Sequence, residues 1–447
     1  MSGMRSWRAL GLAFFAATLL QGCSADSLFF GEEEEGPPLE GDRLPILALE
    51  KSLTADPNLA GLKIVLPRPF ENKDWPQPGG NAVHAMQHLA AGDVLKRAWS
   101  TSIGSGSDDE TQLIASPIVV DGLIYTMDSE GEVSALSVLD GGRVWSAETR
   151  PDDEDETIFP GAIAAGDGKL ITATGYGEVI AFDLKDGMEL WRSRLPGPVR
   201  AAPTVIDGRI FVSILGNQSF ALDLRDGTRV WSHTGISEES ALLGIASPAV
   251  SGGSAIIPYS SGELFVLRVE NGRLIWSDNL SAIRSRNAVS RLSDIRGNPV
   301  VDDGLVVAIS QAGRLLATDL KSGRRVWEAR IGGNQTPWVA GDYIFVVSDL
   351  GEVLALTKRR GQIRWIQQLP VFENPEDKEG IITYAGPVLV SDRLLVGAST
   401  GDVYALSPYT GDILGKIDIG SPVFVPPIVA GGTVYFLTDN GDLEAYR

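Results

Sequence analysis

Short runs of apolar residues, separated by glycine turns, repeat along most of the chain from Ser116 onward. Each copy begins near a proline and contains three strand-like runs, followed by a fourth run that carries a tryptophan. In the first copy, Gly122, Gly131 and Gly141 mark the turns, and Trp145 lies in the fourth run. Tight turns with glycine join antiparallel strands because they need positive φ values. Each copy therefore predicts a small four-stranded antiparallel sheet.

A tryptophan follows the third turn of most copies. The spacing between these tryptophans is about 40 to 50 residues, which is typical of a four-stranded propeller blade. The blade tryptophans are Trp99, Trp145, Trp191, Trp231, Trp276, Trp327 and Trp365. Their equivalent positions favour a structural role between blades over a stack for sugars or cofactors.

The copies nearest the C-terminus depart from this pattern. The seventh copy has Leu414 in place of the tryptophan, and the eighth, at 427–446, lacks a fourth strand. Residues 95–103, upstream of the first copy, contain Trp99 and have the character of that strand. The sequence thus predicts an all-β protein, an eight-bladed β-propeller of four-stranded antiparallel blades whose last blade is closed by an N-terminal strand. Such closure protects the sheet edges.

The first residues have the pattern of an export signal. Basic residues precede an apolar run from Ala9 to Leu20, which is too short to span a bilayer. The four residues that end at Cys23, Leu-Gln-Gly-Cys, resemble the bacterial lipobox, and Cys23 is the one cysteine of the sequence. We therefore expect a lipid on Cys23, and Ser24 indicates delivery to the periplasmic face of the outer membrane. The alternative is a secreted protein with a spare thiol.

The composition of the chain argues against nucleic acid as a partner, and it indicates a linker before the propeller. The net charge of −20, without a basic stripe, argues against binding to nucleic acid. Residues 31–38 are acidic and Pro-rich, which is typical of a solvated linker. We predict three parts: a lipoprotein signal peptide at 1–22, a lipidated tether with an extended segment at 23–88, and the propeller at 89–447.

The repeat also carries a family resemblance. The pattern Ala-(Leu/Phe)-Asp-x-x-x-Gly-x-x-x-Trp occurs at 181–191 and 221–231, and it resembles the repeat of pyrroloquinoline-quinone (PQQ) propellers. Over residues 89–447 the chain resembles the BamB family, the propeller lipoproteins of the outer-membrane β-barrel assembly (Bam) complex. The repeat occurs in both quinoprotein enzymes and scaffolds, so it does not decide the function.

A loop motif makes the resemblance more specific. Residues 291–294, Arg-Leu-Ser-Asp, match a BamB loop that, with the loop before the preceding blade, contacts the periplasmic domains of BamA. The resemblance implies partner contacts at Leu242, Leu243, Arg291, Leu292, Asp294 and Arg296. Two of these depart from the family pattern, since Leu243 stands where arginine is frequent and Arg296 where an aspartate can follow.

The residues themselves leave other roles open for this site. Leu242 and Leu243 fit equally well as the start of a buried strand, and Arg291 with Asp294 fits a local salt bridge. Other Bam subunits are implied partners as well, and contact with nascent outer membrane proteins stays open.

Catalytic chemistry finds little support in the sequence. A quinoprotein of the known type needs adjacent cysteines, and Cys23 has no companion. His84 and His88 have the i, i+4 spacing of a helical metal pair, but the glutamate of that motif is absent, which favours packing or solvated histidines. We therefore predict a non-enzymatic scaffold without cofactor or metal that supports insertion of outer membrane proteins. The alternatives are a periplasmic PQQ-dependent quinoprotein and a ligand-sensing propeller.

Overall fold

Strands dominate the structure of the chain. The computed structural model describes residues 53–152, 154, 161–199, 201–237, 246–281 and 294–447. The propeller belongs to a compact unit, Thr54–Arg447. Within the described residues, eight four-stranded antiparallel sheets form the blades, and the predicted eight-bladed propeller is confirmed.

In blades 1 to 7, the strands follow one another in chain order from the innermost to the outermost position. The first strand, β1 (Arg97–Ser102), precedes blade 1. Blade 1 contains β2 (Ile118–Val120), β3 (Leu123–Met127), β4 (Glu132–Ser137) and β5 (Arg143–Glu148). Blade 2 contains β6 (Ala162–Gly166), β7 (Lys169–Ala173), β8 (Glu178–Asp183) and β9 (Glu189–Arg194). Blades 3 and 4 contain β10 (Thr204–Ile206), β11 (Arg209–Ile214), β12 (Gln218–Asp223) and β13 (Arg229–Thr234), then β14 (Ala249–Ser251), β15 (Ser254–Pro258), β16 (Glu263–Arg268) and β17 (Leu274–Asn279).

The second half of the ring repeats this order. Blades 5 and 6 contain β18 (Val300–Asp302), β19 (Leu305–Ser310), β20 (Arg314–Asp319) and β21 (Arg325–Ala329), then β22 (Trp338–Ala340), β23 (Tyr343–Val347), β24 (Glu352–Thr357) and β25 (Ile363–Gln368). A hairpin of β26 (Phe372–Asn374) and β27 (Glu379–Ile381) precedes blade 7, which contains β28 (Tyr384–Val390), β29 (Arg393–Ala398), β30 (Asp402–Leu406) and β31 (Ile413–Asp418). Blade 8 contains β32 (Ile428–Ala430), β33 (Thr433–Leu437) and β34 (Asp442–Tyr446). A short 3-10 helix, Pro57–Leu59, lies near the start of the described chain.

The fourth strand of each blade contains a bulge next to the tryptophan position. In blade 1, Ala135 is opposite Trp145, whereas Leu136 is opposite Arg143, which leaves Val144 as the extra residue. A bulge of this kind re-aims the side chains around it. Val144 is consequently exposed, while Trp145 is buried against the neighbouring blade.

The eighth blade is assembled from two distant parts of the chain. β1 pairs antiparallel with β34 and forms the outermost strand of the sheet that also contains β32 and β33. The pairing continues beyond the strands, where Lys96 and Arg447 exchange two backbone hydrogen bonds of 2.9 and 3.0 Å. The predicted split blade is therefore confirmed.

The blade tryptophans lie at the boundaries between blades. The indole of Trp145 packs on Gly187, where an added Cβ would come within 2.5 Å of the ring, and its Nε1 donates to the carbonyl of Leu184 at 3.1 Å. Both contacts are made to the turn region of the next blade. The same two contacts recur for Trp99, Trp191, Trp231, Trp276, Trp327 and Trp365.

Residues 70–91, here called the strap, run across one face of the ring. They form no regular helix or strand, but they hydrogen-bond to the inner part of every blade in order. The contacts are Asn72 with blade 8, Trp75 with blade 1, Pro76 with blade 2, Gln77 with blade 3, Ala82 with blade 4, Val83 with blade 5, Gln87 with blade 6 and Leu89 with blade 7. The strap therefore ties the eight inner strands together.

Candidate binding face and axial cavity

A cavity of about 700 Å³ lies at the centre of the propeller. Every blade contributes to its wall, mostly through small residues before or at the start of the innermost strand. These wall residues include Ser116, Ala162, Ala202, Ser247, Asn298, Thr336, Pro387 and Pro427. Small side chains leave the axis open, and the resulting volume is in the range of small-molecule sites.

The strap forms the floor of this cavity with Trp75, Pro78, Gly79 and His84. Trp75 stacks near Trp338 of blade 6, with ring centroids 6.5 Å apart and an interplanar angle of 20°. The strap contacts the far ends of the inner strands, whereas the loops between blades precede the near ends. The cavity is therefore floored by the strap, and its other end lies on the face of the interblade loops, here called the loop face.

His84 is a buried, neutral part of the floor. Its Nδ1 lies 2.8 Å from the carbonyl of Pro299, and because a carbonyl can only accept, Nδ1 carries the hydrogen and Nε2 the lone pair. Burial lowers the pKa of His84 to about 4. Among the described residues, His84 Nε2 and Trp75 Nε1 have no hydrogen-bond partner.

His88 also serves to hold the strap in place. Its Nδ1 lies 2.7 Å from the carbonyl of Pro67, and its Nε2 accepts from the backbone N–H of Asp392 at 3.0 Å. The strap is not helical at His84 and His88, so their spacing does not place both rings on one helix face. In the described parts of the chain, no group of three or more His, Cys, Asp or Glu side chains has the geometry of a metal site.

Five of the seven residues that the sequence predicts for lipidation and partner contact lie outside the described part of the chain. Those outside the described residues are Cys23, Leu242, Leu243, Arg291 and Leu292. Asp294 is described and is buried, with 4% of its surface exposed, and its carbonyl accepts from the Gln311 N–H at 3.0 Å. Arg296 lines the axial cavity.

The segments that flank the two predicted partner loops converge on the loop face. Ile236, which precedes the first loop, is largely exposed. Ser247 follows the first loop and Arg296 follows the second, and both line the cavity. The backbone N–H of Ser247 donates to Asn298 Oδ1 at 2.8 Å, which links the end of one loop to the end of the other.

Sequence reasoning missed the contacts of the strap and the polar wall of the cavity. The strap has no hydrophobic period, and its content of proline and glycine was the one available signal. Asn298 and Asn334 line the cavity, yet each precedes a strand in a stretch that reads as an ordinary polar loop. In the described part of the chain, no helix has the length and apolar character needed to cross a membrane.

Sequence comparisons relate the chain to outer membrane assembly factors. The family model "Outer membrane protein assembly factor BamB" matches residues 129–367 and 374–447. BamB of Salmonella typhimurium is 29% identical over 389 residues, which cover 78% of this chain and 87% of that protein. BamB of Escherichia coli is 28% identical over 386 residues, which cover 77% and 86%. The match to BamB of Moranella endobia, 26% identical, spans 56% of this chain and 62% of that protein's length.

Solved structures share the fold at lower sequence identity. BamB from Moraxella catarrhalis superposes with a TM-score of 0.63 at 19% identity and covers 79% of this chain and 98% of its own. A europium-containing methanol dehydrogenase gives a TM-score of 0.63 at 14% identity, with coverage of 81% and 89%. Such identities show the fold alone, and the family rests on the sequence match. Because that match extends over more than half of the sequence, the chain belongs to the BamB family of outer membrane protein assembly factors.

Proposed function

We propose that the chain is a non-enzymatic scaffold of the outer-membrane β-barrel assembly machinery, held at the periplasmic face of the outer membrane by a lipid on Cys23. Its relatives are named outer membrane protein assembly factors, which supports this role. In this proposal, the propeller docks the periplasmic domains of a BamA-like partner, and other Bam subunits assemble around it.

The hydrogen bond from Ser247 to Asn298 carries the proposal for the docking site. It joins the residues that follow the two family loops, so the bases of both loops are held side by side on blades 4 and 5. Residues held at neighbouring positions on a rigid ring can contribute to one partner surface. The partner surface proposed here is therefore the loop face around these two blades.

The described residues around this face have the mixed chemistry of an interface. Ile236, Leu350 and Phe424 are large apolar side chains that are exposed. Leu350 belongs to a turn that contacts the loop before blade 6, where Asp349 N–H donates to the carbonyl of Gly332 at 3.1 Å. Apolar side chains within a polar rim are typical of protein interfaces.

Substitution of the first loop tests the docking site. We expect Leu243→Ala to weaken binding to purified BamA periplasmic domains at least tenfold, which corresponds to about 1.4 kcal/mol. Calorimetric titration gives the dissociation constant. Leu274→Ala is the matched control, because Leu274 is exposed on the outermost strand of the same side of the ring, in blade 4.

The comparison of the two leucine variants decides the outcome. Unchanged affinity for Leu243→Ala, or an equal loss for Leu274→Ala, would remove the loop face as the docking site. The melting temperature of each variant must match that of the parent chain, so that a loss of affinity reports on contact and not on unfolding.

The anchor is tested separately by Cys23→Ser. Without acyl chains we expect the protein to move from the outer membrane fraction to the soluble periplasmic fraction. Immunoblots of the two fractions measure the distribution. A variant that stays with the membrane after high-salt washing would contradict anchoring by lipid.

A further inference from the structure

Two loop segments of blades 5 and 6 meet closely at the wall of the axial cavity. A Cβ added to Gly297 would lie 2.4 Å from the carbonyl oxygen of Gln335, so only glycine fits between the segments. Next to it, Asn298 N–H donates to Thr336 Oγ1 at 3.0 Å. These contacts bring the side chains that flank them, at 296, 298 and 334, to one sector of the cavity, here called the donor sector.

The side-chain amide oxygens of the donor sector already accept hydrogen bonds from the protein, so the amide N–H groups are the ones available to a ligand. Asn298 Oδ1 already accepts from the Ser247 N–H at 2.8 Å, and an N–H can only donate, so the orientation of this amide is fixed. In the same way, the Gly386 N–H fixes Gln335, whose Nε2 then donates to Asn334 Oδ1 at 3.0 Å. The Nδ2 groups of Asn298 and Asn334 have no hydrogen-bond acceptor among the described residues.

Arg296 supplies the positive charge of the donor sector. Burial lowers the pKa of Arg296, while the carboxylates of Asp294 and Asp349 act in the opposite direction. Neither carboxylate forms an ion pair or hydrogen bond with the guanidinium, and within the described chain no other residue does so. An arginine stays protonated inside a protein, so its charge is only partly compensated and an anion in the cavity would stabilise it.

The opposite side of the cavity contains carboxylates that are already engaged. Asp108 Oδ1 accepts from the backbone N–H groups of Glu110 and Thr111, and Asp439 Oδ1 accepts from Ser107 Oγ. The cavity is thus negative on the side of blades 8 and 1 and rich in unpaired donors on the side of blades 5 and 6. An anionic ligand is consequently directed toward the donor sector.

We propose that the axial cavity binds a small organic acid, with its carboxylate on Arg296, Asn298 and Asn334 and its apolar body toward the floor of Trp75 and Trp338. Guanidinium and amide N–H groups are the donors that carboxylates bind best, and the stacked indoles offer an apolar surface beneath them. The cavity volume admits a two-ring acid.

A pair of nearly isosteric probes tests this site. Calorimetric titration of the full chain with 2-naphthoate and with neutral 2-naphthamide measures the contribution of the carboxylate. We expect the acid to bind at least tenfold more tightly than the amide, with an affinity that falls as salt is raised. Equal affinities, or no binding of the acid up to about 10 mM, would overturn the proposal.

Two variants locate the binding of the acid. Arg296→Gln and Asn334→Asp are each expected to weaken 2-naphthoate at least tenfold, and Asn334→Asp keeps the oxygen that accepts from Gln335. Arg225→Gln is the matched control, since Arg225 is exposed on the outer turn of blade 3. Full affinity in both site variants would place the acid elsewhere.

A blocked peptide distinguishes the two sources of a carboxylate. Acetyl-Gly-Glu-Gly-amide carries only a side-chain carboxylate, and we expect it to bind more weakly than 2-naphthoate because it lacks the apolar body. Tighter binding of the peptide, lost in Arg296→Gln, would overturn the small acid and assign the site to a polypeptide. No partner protein takes part in these titrations, so their failure is distinguishable from failure of the scaffold role.

Discussion

Seven boundaries between blades are closed by tryptophan, whereas the boundary between blades 7 and 8 has Gly415 at that position. The prediction of Leu414 was wrong by one residue, because Ala405 is opposite Gly415 and Leu414 is the extra residue of the bulge, equivalent to Val144 in blade 1. Each tryptophan packs on a glycine in the turn between the third and fourth strands of the next blade. Blade 8 has no such turn, because its third strand is β34 and its fourth is β1. The identity of the residue therefore depends on the neighbouring blade, and a Cβ added to Gly415 would meet no atom within 4 Å, so there is no surface for a tryptophan to cover.

Polar contacts to the backbone hold the eighth boundary instead. Arg393 of blade 7 donates to the carbonyls of Gly92 and Asp93 at 2.6 and 2.7 Å, just before β1. In a ring of repeated blades, hydrogen bonds to the backbone can therefore take the place of tryptophan packing beside the blade that is built from two distant parts of the chain.

Disruption of β1 should have the largest effect on this comparison. In the double variant Ser100→Pro/Thr101→Pro, the strand loses N–H donors of its ladder with β34, and Trp99 loses its support. We expect a larger fall in melting temperature, followed by circular dichroism, than for any single boundary substitution. Removal of residues 24–44 is the control and should leave the melting temperature unchanged; equal melting temperatures in both would refute the split blade.

A tryptophan boundary should be far more sensitive to substitution than the boundary that has Gly415. We expect Trp145→Ala to lower the free energy of unfolding by about 3 to 5 kcal/mol, through the lost packing on Gly187 and the cavity that remains. Gly415→Ala should change it by less than about 1 kcal/mol, since the added Cβ would meet no atom within 4 Å. Urea denaturation measures both, and similar losses would contradict the distinction between the boundaries.

Loss of the arginine contacts should have an intermediate effect. Arg393→Met keeps the apolar stem but removes the donors to Gly92 and Asp93, and we expect a loss of about 1 to 3 kcal/mol in urea denaturation. Arg209→Met is the matched control, because Arg209 begins the second strand of blade 3 as Arg393 does in blade 7. An equal loss in the control would mean that the contacts to Gly92 and Asp93 do not stabilise the boundary.

Restoring the tryptophan of the repeat at Gly415 should change the stability least. We expect Gly415→Trp to alter the free energy of unfolding by no more than about 0.5 kcal/mol. Blade 8 has no turn glycine between its third and fourth strands for the indole to cover. A gain of about 2 kcal/mol or more in the same urea experiment would show that the tryptophan closes a boundary without the turn.

The blades could be predicted because their signals are local. Glycine turns such as Gly122 and Gly141 and the alternation of apolar residues fix where strands begin and pair with their sequence neighbours. The split blade followed from counting strands, since the eighth copy lacked one and residues 95–103 supplied it. Partner contacts at Leu242 and Arg291 stay predictions, as these residues lie outside the described part of the chain.

The candidate cavity was less predictable because its properties arise between blades. Asn298 becomes a directed donor only through the N–H of Ser247, and Asn334 only through Gln335, which the Gly386 N–H orients. None of these pairings leaves a periodic trace in the sequence. In the sequence, a polar residue before a strand gives no indication of whether its side-chain oxygen or its N–H groups face a cavity.

The sequence by itself determined the eight blades, their boundaries and the break in the tryptophan pattern, because each depends on spacing along the chain. Only the tertiary structure decided that the strap visits every blade in turn and that donors from blades 5 and 6 meet above an aromatic floor. These features join residues that are far apart in the chain, and their geometry is set by ring closure, which brings residue 97 beside residue 446.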